Sequence, residues 1–328
     1  MFNFTQLMFL MMLILSSLIT ISATSWIGMW MGMEMNLMAF IPLISKSKNK
    51  KSSQAMITYF LIQSISSITF LFSVLISKFI MISPNFMNDA ANLLLMISLL
   101  IKLGAAPFHM WLPEMMTNLN WMEIFILSTW QKMAPMYVLS NIFNSKLIIS
   151  VMLSAIIGAI GGINTSSMRK IMAYSSINHM SWILIIMMSQ SQWYSYLMLY
   201  SIMMLIVCST FYQNNFLFMN QVMNNESTMT KLTISSMMLS MGGMPPFIGF
   251  LPKWIALQSM INNQMLIIMI IMIMMSMLTL FYYMRMMSSM MLFYSTSYKW
   301  MYKNKNMNNY MLLILNLNLP MFSILSFF

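Results

Sequence analysis

The chain is 328 residues long, 60% hydrophobic and only 6% charged, with a net charge of +11. A water-soluble domain carries about a quarter charged residues, so this composition excludes one and reads as an integral membrane protein. A lone Cys208 excludes an internal disulfide and the four thiolates of an iron–sulfur cluster, and two histidines with five carboxylates leave little for a metal site. In chain order, apolar runs place spans near 4–23, 25–44, 54–77, 88–113, 121–143, 147–163, 170–188, 193–213, 231–258, 262–286 and 309–328. The start leads directly into the first run, with no Arg-rich transit segment or cleavable signal pattern. Strand-type alternation is absent, which argues against a barrel. The expected fold is an all-α polytopic membrane protein of about eleven transmembrane helices, at about 20 residues per span, forming a single domain over 1–328.

The basic residues sort by side. With the N-terminus on the positive side, its loops hold Lys46, Lys48, Lys50, Lys51, Arg169, Lys170, Lys231, Arg285, Lys299, Lys303 and Lys305; the opposite side holds Lys78 and Lys146. That imbalance is a topology signal. It accounts for the positive charge without nucleic acid as a partner.

Two stretches share a pattern: residues 104–114 read GAAPFHMWLPE and residues 243–253 read GMPPFIGFLPK. Gly104/Gly243, Pro107/Pro246, Phe108/Phe247, Leu112/Leu251 and Pro113/Pro252 fall at matching offsets, and the copies end on Glu114 and Lys253. Gly104 and Pro107 in one run, and Gly243, Pro245 and Pro246 in the other, are expected to break their helices. Broken helices free backbone groups that lipid cannot satisfy. The copies are the fourth and ninth spans, an odd offset of five, so the second crosses in the opposite sense. The expectation is an inverted repeat centred on broken helices near 88–116 and 231–258, the arrangement that surrounds midplane sites in transporters. Pro135 is expected to interrupt 121–143 as well.

Four titratable residues remain inside spans: Glu34, Lys102, Lys132 and Lys253. Glu34, Lys132 and Lys102 lie roughly 14–21 Å along their helices, near the centre of a hydrocarbon core about 30 Å thick. Each costs about 2.5–3.5 kcal/mol to insert. One reading is static ion pairing, with Glu34 holding Lys102 or Lys132 to fix helix register. The other is a proton relay. One carboxylate cannot neutralise three lysines, and an amine taken out of water binds its proton less tightly until a carboxylate approaches. So many costly charges in a chain this poor in them favour the relay. His109 follows the first break and extends the same series. His179, with Ser175 and Ser176 one turn earlier, is either a buried histidine bonded to a serine or a further relay group. Gly28/Gly32 and Ser154/Gly158/Gly162 are small residues four apart, which let helices approach closely. Glu114 and Glu123 are expected at the surface.

The motifs KLGAAPFHMWLPE, WQKMAP, RKIMAYSSINHM and GGMPPFIGFLPKW, in this order, mark a chain that resembles, nearly end to end, the antiporter-like membrane subunits of respiratory complex I (NADH:ubiquinone oxidoreductase). These are related to subunits of multisubunit cation/proton antiporters. The resemblance implies a core membrane-arm subunit coupling NADH-to-ubiquinone electron transfer to proton translocation across the mitochondrial inner membrane. It implies that Glu34 couples to Lys102 in a broken helix, that Lys132 is the central lysine and Lys253 the terminal residue of the second broken helix. It also puts His109 and His179 on the same hydrated axis. It implies no cofactor in this chain; NADH, FMN, iron–sulfur clusters and ubiquinone belong to other subunits. The implied partners are core and accessory membrane-arm subunits and membrane lipids, with the N-terminus in the matrix and the C-terminus toward the intermembrane space. The 51 methionines fit a mitochondrial code that reads AUA as Met better than a specialised packing surface. Two rival readings stand beside this one: a subunit of a cation/proton antiporter, and a structural scaffold with static ion pairs.

Overall fold

A computed structural model describes residues 4–45, 50–79, 84–142, 146–189, 191–219, 221, 228–292, 312–314 and 316–317. Among them lie thirteen helices: α1 (Phe4–Ser22), α2 (Trp26–Ile44), α3 (Lys50–Phe79), α4 (Pro84–Leu103), α5 (Trp111–Asn118), α6 (Trp121–Ser128), α7 (Trp130–Ser140), α8 (Leu147–Ile163), α9 (Met168–Met188), α10 (Trp193–Asn214), α11 (Thr228–Gly242), α12 (Phe250–Asn262) and α13 (Leu266–Leu292). By length and composition α1, α2, α3, α9, α10 and α13 can cross a membrane, and α8 is a shorter apolar helix. The runs predicted at 88–113, 121–143 and 231–258 are each split, into α4 and α5, α6 and α7, and α11 and α12. Most of the last predicted run, 309–328, lies outside the described residues, as do Lys46, Lys48, Lys299, Lys303 and Lys305. Lys231, read from sequence as a loop charge, lies in α11 and is buried.

The chain divides into two compact units, Met1–Ser145 and Lys146–Phe328. In the first, α1 and α2 meet at small residues. A Cβ added to Gly32 would stand 2.4 Å from Thr20 Cγ2 and 2.9 Å from its amide nitrogen. Hydroxyls inside these apolar helices fold back on their own backbone: Ser16, Ser66, Ser73 and Ser98 donate to the carbonyl three residues earlier. A helix in lipid can therefore carry them without outside partners. α4 opens on Pro84, where a missing N–H costs nothing at a first helical position.

In the second unit α9 is the core, with Ile171, Met172, Ala173 and every residue from Ser175 to Met187 buried. By contrast, Ile267, Ile270, Met274, Met277 and Phe281 form an exposed apolar stripe on α13, while Met272, Tyr282, Tyr283 and Met286 face inward. α8 lies against α9 through the small-residue row. A Cβ on Gly158 would meet Asn178 backbone nitrogen at 2.7 Å and Cα at 3.0 Å. Because that neighbour is backbone, it cannot swing aside. Gly158→Leu should therefore destabilise the protein by about 1–3 kcal/mol or more through overpacking. A fall in the thermal unfolding midpoint of the detergent-solubilised protein measures it; an unchanged midpoint would contradict the close approach.

Candidate functional site

Both duplicated motifs build the same backbone device. At the end of α4, Gly104 takes φ +67°, with Gly104 N–H donating to Ile101 O (3.2 Å) and Ala105 N–H to Leu100 O (3.1 Å). At the end of α11, Gly243 takes φ +76°, with Gly243 N–H donating to Ser240 O (2.9 Å) and Met244 N–H to Leu239 O (3.2 Å). This paired bonding around a left-handed residue is the Schellman motif, and only glycine enters that conformation at little cost. Each helix resumes after a non-helical segment, 104–110 or 243–249. The glycines and the residues Pro107, Pro245 and Pro246 therefore stand in the breaks where the sequence placed them.

Pro135 differs. It lies inside an unbroken α7, and the discontinuity stands at Thr129 (φ −116°, ψ −71°). A proline removes its own N–H and crowds the carbonyl four residues back, here Gln131, so its disturbance falls on the preceding turn. Thr129 adds to it by donating its hydroxyl to Phe125 O at 2.7 Å, a bond that bends helices.

Within the first unit, Lys102 and Lys132 line one cavity together with Asn36, Tyr59, Gln63 and Gln131. Lys102 is 7% exposed and Lys132 3%. The space open to water centres is about 20 Å³, enough for one or two waters. Polar side chains from three helices join across it. Tyr59 on α3 donates its hydroxyl to Gln131 Oε1 (3.2 Å), and Gln131 Nε2 on α7 donates to Asn36 Oδ1 on α2 (3.1 Å). Gln63 Nε2, one turn along α3 from Tyr59, donates to the Lys102 carbonyl (3.2 Å), satisfying backbone beside the break.

Glu34 is half-buried on α2. Its Oε1 makes no hydrogen bond, and its charge acts on both Lys102 and Tyr59. His109 sits in the break with Nδ1 3.1 Å from Pro107 O. A carbonyl only accepts, so Nδ1 carries the proton. Neither Glu34 nor His109 is among the cavity walls. Glu114 is exposed as expected. Glu123 is buried instead, because its carboxylate accepts from Asn120 N (3.0 Å) and Nδ2 (3.2 Å) in a capping box that starts α6.

In the second unit, Lys253 folds back from α12 over the other break. Its Nζ donates to Gly242 O at 2.6 Å, and the side chain is buried. The ammonium thus meets the carbonyl end of α11, where the helix dipole favours a cation. His179 on α9 bonds through Nδ1 to the Tyr196 hydroxyl of α10 (2.8 Å), with the Tyr200 ring 4.7 Å away. Ser175 and Ser176 donate instead to Met172 O and Ala173 O.

Sequence reasoning missed Asn36, Tyr59, Gln63 and Gln131. Their signal was weak but present: amides within apolar runs, and Tyr59 and Gln63 four apart on one face of α3.

Comparison with known proteins gives one consistent picture. The family model described as NADH:quinone oxidoreductase/Mrp antiporter, TM matches residues 23–279. The chain is 40% identical over 310 residues to NADH-ubiquinone oxidoreductase chain 2 of Anopheles gambiae, covering 92% of this chain and 90% of that one. To the protein of the same name from Locusta migratoria it is 40% identical over 270 residues, covering 80% and 78%. Among solved structures it resembles a chain of respiratory complex I from Thermus thermophilus with bound aureothin, at TM-score 0.80 and 19% identity, covering 88% of this chain and 71% of that one. It also resembles a chain of the Mrp complex from Dietzia sp. DQ12-45-1b, at TM-score 0.71 and 14% identity, covering 86% and 59%.

Proposed function

The chain belongs to the NADH:quinone oxidoreductase/Mrp antiporter membrane family, and from that premise we propose that it is a core membrane-arm subunit of a proton-translocating NADH:ubiquinone oxidoreductase. Residues 1–328 act as one antiporter-like domain of inverted repeats in the mitochondrial inner membrane, with the N-terminus in the matrix and the C-terminus toward the intermembrane space. Its partners are the other membrane-arm subunits, core and accessory, and the surrounding lipids. NADH, FMN, iron–sulfur clusters and ubiquinone are held by other subunits, and this chain carries out no redox step itself.

The observation that carries the proton-relay reading is the shared cavity of Lys102 and Lys132, each on a helix next to a discontinuity. Two amines on the walls of one cavity give a proton two alternative seats. Glu34 supplies the bias, since its charge acts on Lys102. Lys253 is the terminal group of the series, with His109 and His179 as accessory polar groups. The test is proton pumping by the assembled complex, in a genetically tractable relative, after replacement of Lys102 or Lys132 by Met.

The antiporter reading shares the fold and these residues. Purification separates the two: flavin- and iron–sulfur-containing subunits should accompany this chain, and a preparation consistently free of them would favour the antiporter.

A second expectation concerns Lys253. Lys253→Met should remove the bond to Gly242 O and leave that buried carbonyl without its donor, a destabilisation of about 1–3 kcal/mol. The yield and thermal stability of the purified complex would register it.

A further inference from the structure

The hydrogen-bonded row Tyr59–Gln131–Asn36 has a direction. Tyr59 has a single O–H proton, and it goes to Gln131 Oε1, while Gln131 Nε2 donates onward to Asn36 Oδ1. Both ends of the row, Tyr59 and Asn36, are cavity walls, as are Lys102 and Lys132. A carboxamide turned by half a rotation exchanges its oxygen and nitrogen while its heavy atoms keep their places. Turning Gln131 and Asn36 together therefore gives a second row of the same geometry, in which Asn36 donates to Gln131 and Gln131 donates to the Tyr59 oxygen.

The two directions present opposite faces to the cavity. In the observed one, the Tyr59 oxygen has only lone pairs left and offers an acceptor beside α4, whose Lys102 carbonyl is held by Gln63 one turn along from Tyr59. In the reversed one, the Tyr59 proton is released from Gln131 and becomes a donor, and the freed acceptor oxygen lies at the Asn36 end. An acceptor stabilises a lysine ammonium and a donor opposes it. The direction of the row thus selects where in the cavity a proton-bearing amine is favoured.

We propose that Tyr59, Gln131 and Asn36 form a two-state polarity switch that positions the relay proton between Lys102 and Lys132. The three are positioning residues, since none of them needs to bind the transferred proton. No covalent bond is made or broken; the tyrosine and both amides keep their own protons throughout. The inference rests on the relay reading above.

The experiment uses the assembled complex of a genetically tractable relative carrying these residues, reconstituted into proteoliposomes. It measures assembled yield, NADH oxidation with the gradient collapsed, and protons moved per NADH oxidised. Gln131→Met keeps the length and packing of the side chain but removes both bonds, and Tyr59→Phe removes a single hydroxyl. The expected result is a lowered proton-to-NADH ratio in both, with assembly and uncoupled NADH oxidation retained, and gradient-coupled turnover slowed by about fivefold for the single lost bond of Tyr59→Phe. A ratio unchanged in Tyr59→Phe overturns the switch, whether or not Gln131→Met assembles. Lys102→Met, measured in parallel, keeps the two ideas apart. If it pumps normally the relay reading itself fails; if it stops pumping while Tyr59→Phe and Gln131→Met pump normally, only the switch fails.

Discussion

Replacing Lys102 or Lys132 by Met should lower the coupled proton transfer of the assembled complex by about a hundredfold or more at this subunit, the usual contribution of a positioned proton-transfer group. It should do so without lowering assembly. Met has nearly the same length as the aliphatic part of Lys, so the cavity wall stays filled. The stability term has a definite sign. A charge held near the middle of a membrane protein costs about 2.5–3.5 kcal/mol to insert, and Met relieves it. Were these lysines half of a static ion pair, removal would instead strand the partner charge and cost about 3–5 kcal/mol. For Lys102 the geometry already leans against such a pair, because Oε1 of Glu34, whose charge acts on it, has no hydrogen-bond partner. Yield of complex and proton flux therefore move in different directions under the two readings. A variant that assembles and pumps like the parent would end the relay reading for that lysine; a variant that fails to assemble would favour the scaffold.

The membrane helices were legible because lipid imposes a simple rule on the sequence. Long apolar runs are helices, and Gly with Pro inside them marks where the backbone escapes. Hence 147–163 and 4–23 were read to within a residue of α8 and α1, and Gly104 and Gly243 stand at the breaks themselves. The discontinuity near Lys132 was assigned to Pro135 but lies at Thr129, since a proline perturbs the turn before it and a threonine can relay the bend. The lysines were legible for a related reason, as charge in an apolar run stands out. Asn36, Tyr59 and Gln131 did not. Neutral polar residues occur in spans for many reasons, and only the crossing of α2, α3 and α7 joins these three. His179 shows the same limit. Its serines are close in sequence, yet its partner is Tyr196 on the next helix. Glu123 was read as a surface charge because local pattern gives no account of depth; it is buried against the start of its own helix.

The second large effect is expected at Gly243. Gly243→Ala meets two independent obstacles. The residue sits at φ +76°, a conformation that costs an L-residue with a Cβ about 1–2 kcal/mol. In addition, the new Cβ would stand 2.6 Å from Lys253 Cδ and 2.8 Å from both Cε and Nζ. The far end of a lysine can move, so the collision alone is cheap. What moving forfeits is the 2.6 Å bond from Nζ to Gly242 O, a charged hydrogen bond worth about 1.5–3 kcal/mol. The two together predict a loss of about 2.5–5 kcal/mol. Gly104→Ala carries the same backbone strain at φ +67°, but its Cβ would meet Leu112 and Trp111 side chains rather than a lysine, so it loses packing and no charged bond. The double variant Gly243→Ala with Lys253→Ala isolates the mechanism. Removing the lysine side chain clears the space that the new Cβ needs, and the bond to Gly242 O cannot be lost twice. The pair should therefore cost less than the sum of the single changes, whereas unrelated sites add within about 0.3–0.5 kcal/mol. Thermal unfolding of the four purified forms measures the difference. Strict additivity would mean that Gly243 is required for its backbone alone and that Lys253 does not depend on the room it leaves.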